Sequence, residues 1–149
     1  MEALASGGFQ VEEYARLQFP NGKLIDAPYK DDNYPFFHEE TKKVLDQDEV
    51  VIYEAGFLYD HLFVRTDILQ KKGNEIHLIE VKAKSFNPNE LYTFITKTGL
   101  IESSWKPYLF DLAFQTYVVQ KCYPTLKVIP YLYLVDKTKS ATVDGINQM

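Results

Sequence analysis

The sequence predicts an α/β domain whose mixed sheet contains a three-stranded antiparallel portion and is flanked by helices. Three observations carry this expectation. Runs rich in β-branched and aromatic residues, Val50–Leu58, Leu62–Leu69 and Glu75–Lys84, follow one another with only short turn signals between them. Apolar residues recur at helical spacing before them and again over Pro107–Lys121. After that helix comes a strongly apolar run, Lys127–Val135, which a crossover would return to the sheet.

In chain order, Val11, Tyr14 and Ala15 place a first helix over Gly8–Leu17, with Ser6 as its expected cap. Pro20-Asn21-Gly22 signals a turn into a short strand around Lys23–Ile25, and Asp31–Pro35 reads as a loop. Phe36–Leu45 is a second helix, with Phe37, Thr41, Val44 and Leu45 on its apolar stripe and Pro35 suited to its first turn. Tyr59-Asp60-His61 and Lys71-Lys72-Gly73-Asn74 are tight connections between the three antiparallel strands. Ser85–Ser104 reads as a loop, or as a short helix around Glu90–Lys97. Pro107–Lys121 is the long helix, with Leu109, Leu112, Ala113, Tyr117 and Val118 in register, and Pro124 ends it. Lys127–Val135 is expected at the centre of the sheet, Asp136–Ser140 as a turn, and Ala141–Asn147 as the start of a further element.

At 149 residues the chain has room for one domain, residues 1–149, with one good core. No apolar run approaches the length of a membrane span, and Met1–Ser6 lacks the basic and apolar regions of a signal peptide. A single cysteine, Cys122, excludes an internal disulfide and a multi-cysteine zinc site, and a reducing, cytoplasmic setting is the default expectation. The net charge of −5 argues against a generally basic nucleic-acid binder. That charge is uneven. Residues 1–60 hold 5 Lys and Arg against 13 Asp and Glu, whereas residues 61–149 hold 11 against 8.

Chemistry is concentrated in Phe63-Val64-Arg65-Thr66-Asp67 and Leu78-Ile79-Glu80-Val81-Lys82. Residues two apart in a strand share a face, so Glu80 and Lys82 point together while Ile79 and Val81 point away. A hairpin brings Asp67 to the same sheet edge. Charges inside apolar runs are costly unless compensated, and two carboxylates beside a lysine suit a hard divalent cation. Glu-x-Lys by itself more commonly marks a solvated strand face. Arg65 shares strand parity with Asp67 and is expected to pair with it. His77 lies on the opposite parity, His38 is expected to be exposed, and His61 falls in a turn. Lys84 extends the Lys82 strand, where it touches a phosphate or solvent. Trp105 and Tyr108 stand at the start of the long helix, where they stack on a base or, the commoner fate, cap the core.

These residues and their order resemble the PD-(D/E)XK nuclease superfamily, and within it a bacterial subgroup of the RecB-type exonuclease branch, over nearly the whole chain. In that branch a helix motif opens on Gly and places a metal-binding His or Glu four residues later; Gly8-Phe9-Gln10-Val11-Glu12 fits, with Glu13 as fallback. Arg65-Thr66-Asp67 and Glu80-Val81-Lys82 match the next two motifs. A fourth motif sets Gln and then Tyr four residues on. Here Gln115 is followed at that distance by Val119, with Tyr117 only two along.

The resemblance implies a restriction-endonuclease-like core and metal-dependent hydrolysis of DNA, exonuclease-like, in repair or defence. Glu12, Asp67, Glu80 and the Val81 carbonyl would hold Mg²⁺ or Mn²⁺. Lys82 would act on the water and the developing charge, and Gln115 would bind a phosphate or hold Lys82. The iron–sulfur cysteine cluster often found in the family has no counterpart here. The chain reads as part of a longer protein. The alternative is a catalytically inactive nuclease-fold module for nucleic-acid binding or assembly; a third reading is an interaction domain whose charges are structural.

Overall fold

A computed structural model describes residues 2–26, 33–90 and 94–136; of residues 2–9, 85, 135 and 136 it describes the backbone. The elements are α1 (Glu2–Gln18), β1 (Lys23–Leu24), α2 (Tyr34–Val44), β2 (Glu49–Tyr59), β3 (Leu62–Lys72), β4 (Glu75–Phe86), α3 (Lys106–Cys122) and β5 (Lys127–Asp136). Together they form an α/β fold around a five-stranded mixed sheet in the order β1-β2-β3-β4-β5. The hairpins β2–β3–β4 are antiparallel, and β1 and β5 add parallel to the outer strands. Among the described residues, no helix is long and apolar enough to cross a membrane.

Strand alternation distributes the core. Ile76 and Leu78 of β4 pack with Ile52, Leu69, Leu112, Val118 and Val119 on the α2–α3 face, whereas Ile79 packs with Ile68 and Ala15 on the α1 face. Both faces of the middle strands are therefore apolar, as expected where helices cover both sides.

Several expectations need correction. Helix α1 begins well before Gly8, so Ser6 lies inside the helix and is not its cap. Strand β5 is at the end of the sheet, not its centre, among the described residues. Its apolar side chains serve the helix packed on it, and Pro130 is tolerated within it as on other outer strands. The stretch after β4 holds no helix among its described residues. Residues 94–102 form a small hairpin in which Ile95 bridges Ile101 and the Glu102 N–H donates to the Phe94 carbonyl at 2.8 Å. The turn expected at Asp136–Ser140 lies outside the described residues from position 137 on, as does all of Ala141–Asn147.

The most consequential irregularity is in β2 and β3. Val51 and Tyr53 pack on the α1 side, yet Ala55 and Phe57 pack on the α2–α3 side, so the alternation reverses at Glu54. Glu54 adopts a left-handed φ of 61°. In β3 the parity reverses at the same level, with Val64 and Leu69 on one face. Tyr53↔Ile68 and Ala55↔Thr66 are paired, and between them Glu54 stands opposite Asp67 outside the ladder.

Candidate metal centre

The β3–β4 ladder runs from Lys72↔Glu75 to Ile68↔Ile79. Asp67 and Glu80 come next, where the two strands part. Asp67 Oδ2 accepts the Val81 N–H at 2.8 Å, so a side chain replaces the missing ladder bond. Strand β4 then shifts register against β5 between Val81 and Ser85. Such a bulge re-aims side chains, and Lys82 and Lys84 lie within it.

Three carboxylates, Glu12, Glu54 and Asp67, can each place an oxygen within 4.8 Å of the others. Helix α1 supplies Glu12. Tyr53 anchors the end of that helix by donating its hydroxyl to the Phe19 carbonyl and accepting the Gly22 N–H. Glu13 is exposed, so the fallback position points away. Arg16 reaches Glu12 at 3.2 Å and Glu54 at 3.5 Å. Arg65 does not pair with Asp67 as expected. It bonds the Ile25 and Glu54 carbonyls, approaches Glu54 Oε2 at 3.7 Å and covers the Phe37 ring. The reversal at Glu54 has offered it a different carboxylate.

Glu80 is buried and engaged toward α3. Its Oε1 lies 3.1 Å from Lys82 Nζ, and its Oε2 accepts from Gln115 Nε2 at 3.0 Å. Asp111 extends the network, 3.4 Å from both Lys82 Nζ and Gln115 Nε2. Gln115 thus holds Glu80 and Asp111 rather than Lys82. Its Oε1 is buried and accepts no hydrogen bond among the described residues.

Electrostatics separate the two halves. Burial, then the neighbouring Glu80 charge, push the Asp67 carboxyl up to about 7 against the pull of the Val81 N–H. Burial and a hydrogen bond to Glu12 push Glu54 up to about 7 as well, although Arg65 opposes this. For Lys82, burial works against the ammonium, but the hydrogen bond and charge of Glu80 and the charge of Asp111 hold its pKa raised. Crowded, half-buried carboxylates with raised affinity for protons are a donor set that a hard divalent cation satisfies. The oxygen chemistry of Glu12, Glu54 and Asp67 fits Mg²⁺ or Mn²⁺.

The structure therefore sets the expected residues in two adjoining groups: Glu12 and Asp67, with Glu54, on the α1 side, and Glu80, Lys82 and Gln115, with Asp111, toward α3, linked by the Asp67–Val81 hydrogen bond and the charge interaction of Asp67 with Glu80. Sequence reasoning missed Glu54 and Asp111. Glu54 interrupts the apolar run Val50–Leu58 just as Asp67 interrupts the next one, and that symmetry was the available signal. Among the histidines, His61 is exposed in its turn, and His77 packs on Tyr131. His38 is not exposed as expected: its Nδ1 accepts the Leu58 N–H at 3.0 Å, and burial lowers its pKa. Trp105 is buried, in keeping with a core-capping role. No protein-family model matches this chain, and neither a curated protein nor a solved structure matches it.

Proposed function

We propose that this chain is a divalent-metal-dependent nuclease with a PD-(D/E)XK arrangement on a restriction-endonuclease-like core, hydrolysing phosphodiester bonds of DNA. The observation that carries the reading is the convergence of half-buried carboxylates from three elements, Glu12, Glu54 and Asp67, at the point where β3 and β4 part, with the Lys82 charge acting on Asp67. Glu12, Asp67 and Glu54 would hold the ion, with Glu80 adjoining them and the Val81 carbonyl as the further ligand that the resemblance implies. Mg²⁺ or Mn²⁺ bound there would supply charge stabilisation and a more acidic water. Lys82, fixed between Glu80 and Asp111, presents a protonated donor that can orient water and stabilise charge on a phosphoryl oxygen. Gln115 positions Glu80 from α3, and Asp67 holds the β4 backbone through Val81.

One observation favours the runner-up, an inactive nuclease-fold module. Arg16 and Arg65 already compensate Glu12 and Glu54, so part of the acidic cluster is satisfied without an ion. The deciding experiment is Mn²⁺ titration by calorimetry together with cleavage of labelled DNA. The nuclease reading expects metal binding and metal-dependent cleavage, both lost in Asp67→Ala. Wild-type protein that binds no metal and cleaves nothing would overturn the nuclease reading.

A further inference from the structure

A second group of side chains adjoins Lys82. Tyr108 receives two lysines: Lys82 Nζ and Lys84 Nζ each lie 5.5 Å from its ring centroid. Lys84 Nζ also sits 4.6 Å above Trp105 and donates to the Ser104 carbonyl. Trp105 packs on Phe94 with centroids 4.8 Å apart, and Phe94 on Phe86 at 6.0 Å. Phe94 opens the hairpin of residues 94–102. That hairpin is well built: Thr96 N–H bonds the Leu100 carbonyl, Gly99 N–H the Thr96 carbonyl, and the two threonine hydroxyls Thr96 and Thr98 meet at 3.0 Å. Yet it exposes Phe94, Ile95, Leu100 and Ile101 at 39%, 53%, 66% and 42%, with Lys97 exposed at its turn.

We infer that the 94–102 hairpin and the Lys84–Trp105–Tyr108 stack form a platform that binds single-stranded DNA, Phe94 stacking on a base and Lys84 and Lys97 meeting the phosphates, and leads the strand to Lys82. The inference rests on the nuclease reading for the strand's destination. Its occupant is chosen by the alternation of cations with aromatic faces. A polymer repeating phosphate and base complements that pattern, and single strands are bound by this combination of ring stacking and positive charge. A purely apolar protein contact would not call for Lys82 and Lys84 over the rings and an exposed Lys97 at the hairpin turn. Bases must also be unpaired to reach Phe94, which selects the single strand.

Chelator-treated protein, titrated with a fluorescein-labelled oligothymidylate, tests this without cleavage, and Trp105, the chain's single tryptophan, reports binding through its own emission. Phe94→Leu, which keeps apolar volume but removes the ring, should weaken binding about tenfold, and Phe94→Tyr should restore it. Lys84→Gln should weaken binding and flatten its salt dependence. Circular dichroism melts of each variant confirm folding. Wild type that does not bind, or Phe94→Leu that binds equally well, overturns the platform. So does concentration-dependent self-association abolished by Phe94→Leu, which would make the hairpin a contact between copies. Cleavage with Mn²⁺ is scored separately: cleavage with unchanged Phe94→Leu binding sinks the platform alone, and Phe94-dependent binding without cleavage sinks the nuclease reading alone.

Discussion

Glu54 holds a left-handed backbone in the middle of a strand, a conformation that costs free energy for any residue with a Cβ. The return is a carboxylate facing Glu12 and Asp67, with Arg16 and Arg65 reaching it from two sides. Lys82 occupies the other half of the site and is held by Glu80 and Asp111. This division makes different losses expected from different substitutions. Lys82→Ala should lower Mn²⁺-dependent cleavage by about 100-fold or more, the scale of losing one charge-stabilising donor, with Mn²⁺ affinity in calorimetry nearly unchanged. Glu54→Gln should weaken Mn²⁺ binding, because a neutral amide is a poorer ligand than a carboxylate. Equal Mn²⁺ affinity in Glu54→Gln and wild type would show that Glu54 is bound up with its arginines and does not serve the ion.

At the scale of elements, helix α2 fixes the strand that presents Glu54. The buried Thr41 hydroxyl accepts the Gly56 N–H at 2.9 Å, and His38 accepts the Leu58 N–H. A Cβ on Gly56 would stand 2.5 Å from Phe37 Cβ, a clash neither element can relieve without moving. Gly56→Ala should therefore destabilise the fold by about 1 to 3 kcal/mol, as overpacking does, measured as a lower urea midpoint at unchanged slope. Elements of this kind were legible in the sequence because periodicity reports burial: the three hairpin strands and α3 lie where their apolar runs place them, although α3 buries Leu112, Gln115, Val118 and Val119 and leaves the expected Ala113 and Tyr117 exposed. The position of β5 was not legible, since an apolar run says that a strand is covered but not how many neighbours it has. Asp67, Glu80 and Lys82 stood out as charges in apolar runs. Glu54 stood out equally, but strict alternation assigns its neighbours to the wrong faces, and only the reversal at residue 54 turns it toward Asp67. Arg65 was misassigned for the same reason.

For the whole molecule, the site's cost should appear in how stability depends on pH. The Asp67 carboxyl titrates near 7 in the folded chain against 3.8 as an isolated group, and Glu54 near 7 against 4.5. Between those values the folded state holds more protons than the unfolded one. Stability must then fall as pH rises from about 4 to 7 and level off above, because the unfolded chain ionises these groups freely while the fold resists it. Calorimetric scans in chelator should show the melting temperature dropping by about 5 °C from pH 5 to pH 8, a shift on the order of 1 to 2 kcal/mol for a chain of this size. In Asp67→Asn, which cannot ionise there, the drop should be clearly smaller. Mn²⁺ should reverse the drop in wild type, most strongly at pH 8 where both carboxylates are charged and no proton competes for them. Identical pH profiles for wild type and Asp67→Asn would mean that Asp67 ionises in the fold as easily as in the unfolded chain. The crowding of Asp67 with Glu54 and Glu80 would then impose no penalty for a metal ion to relieve.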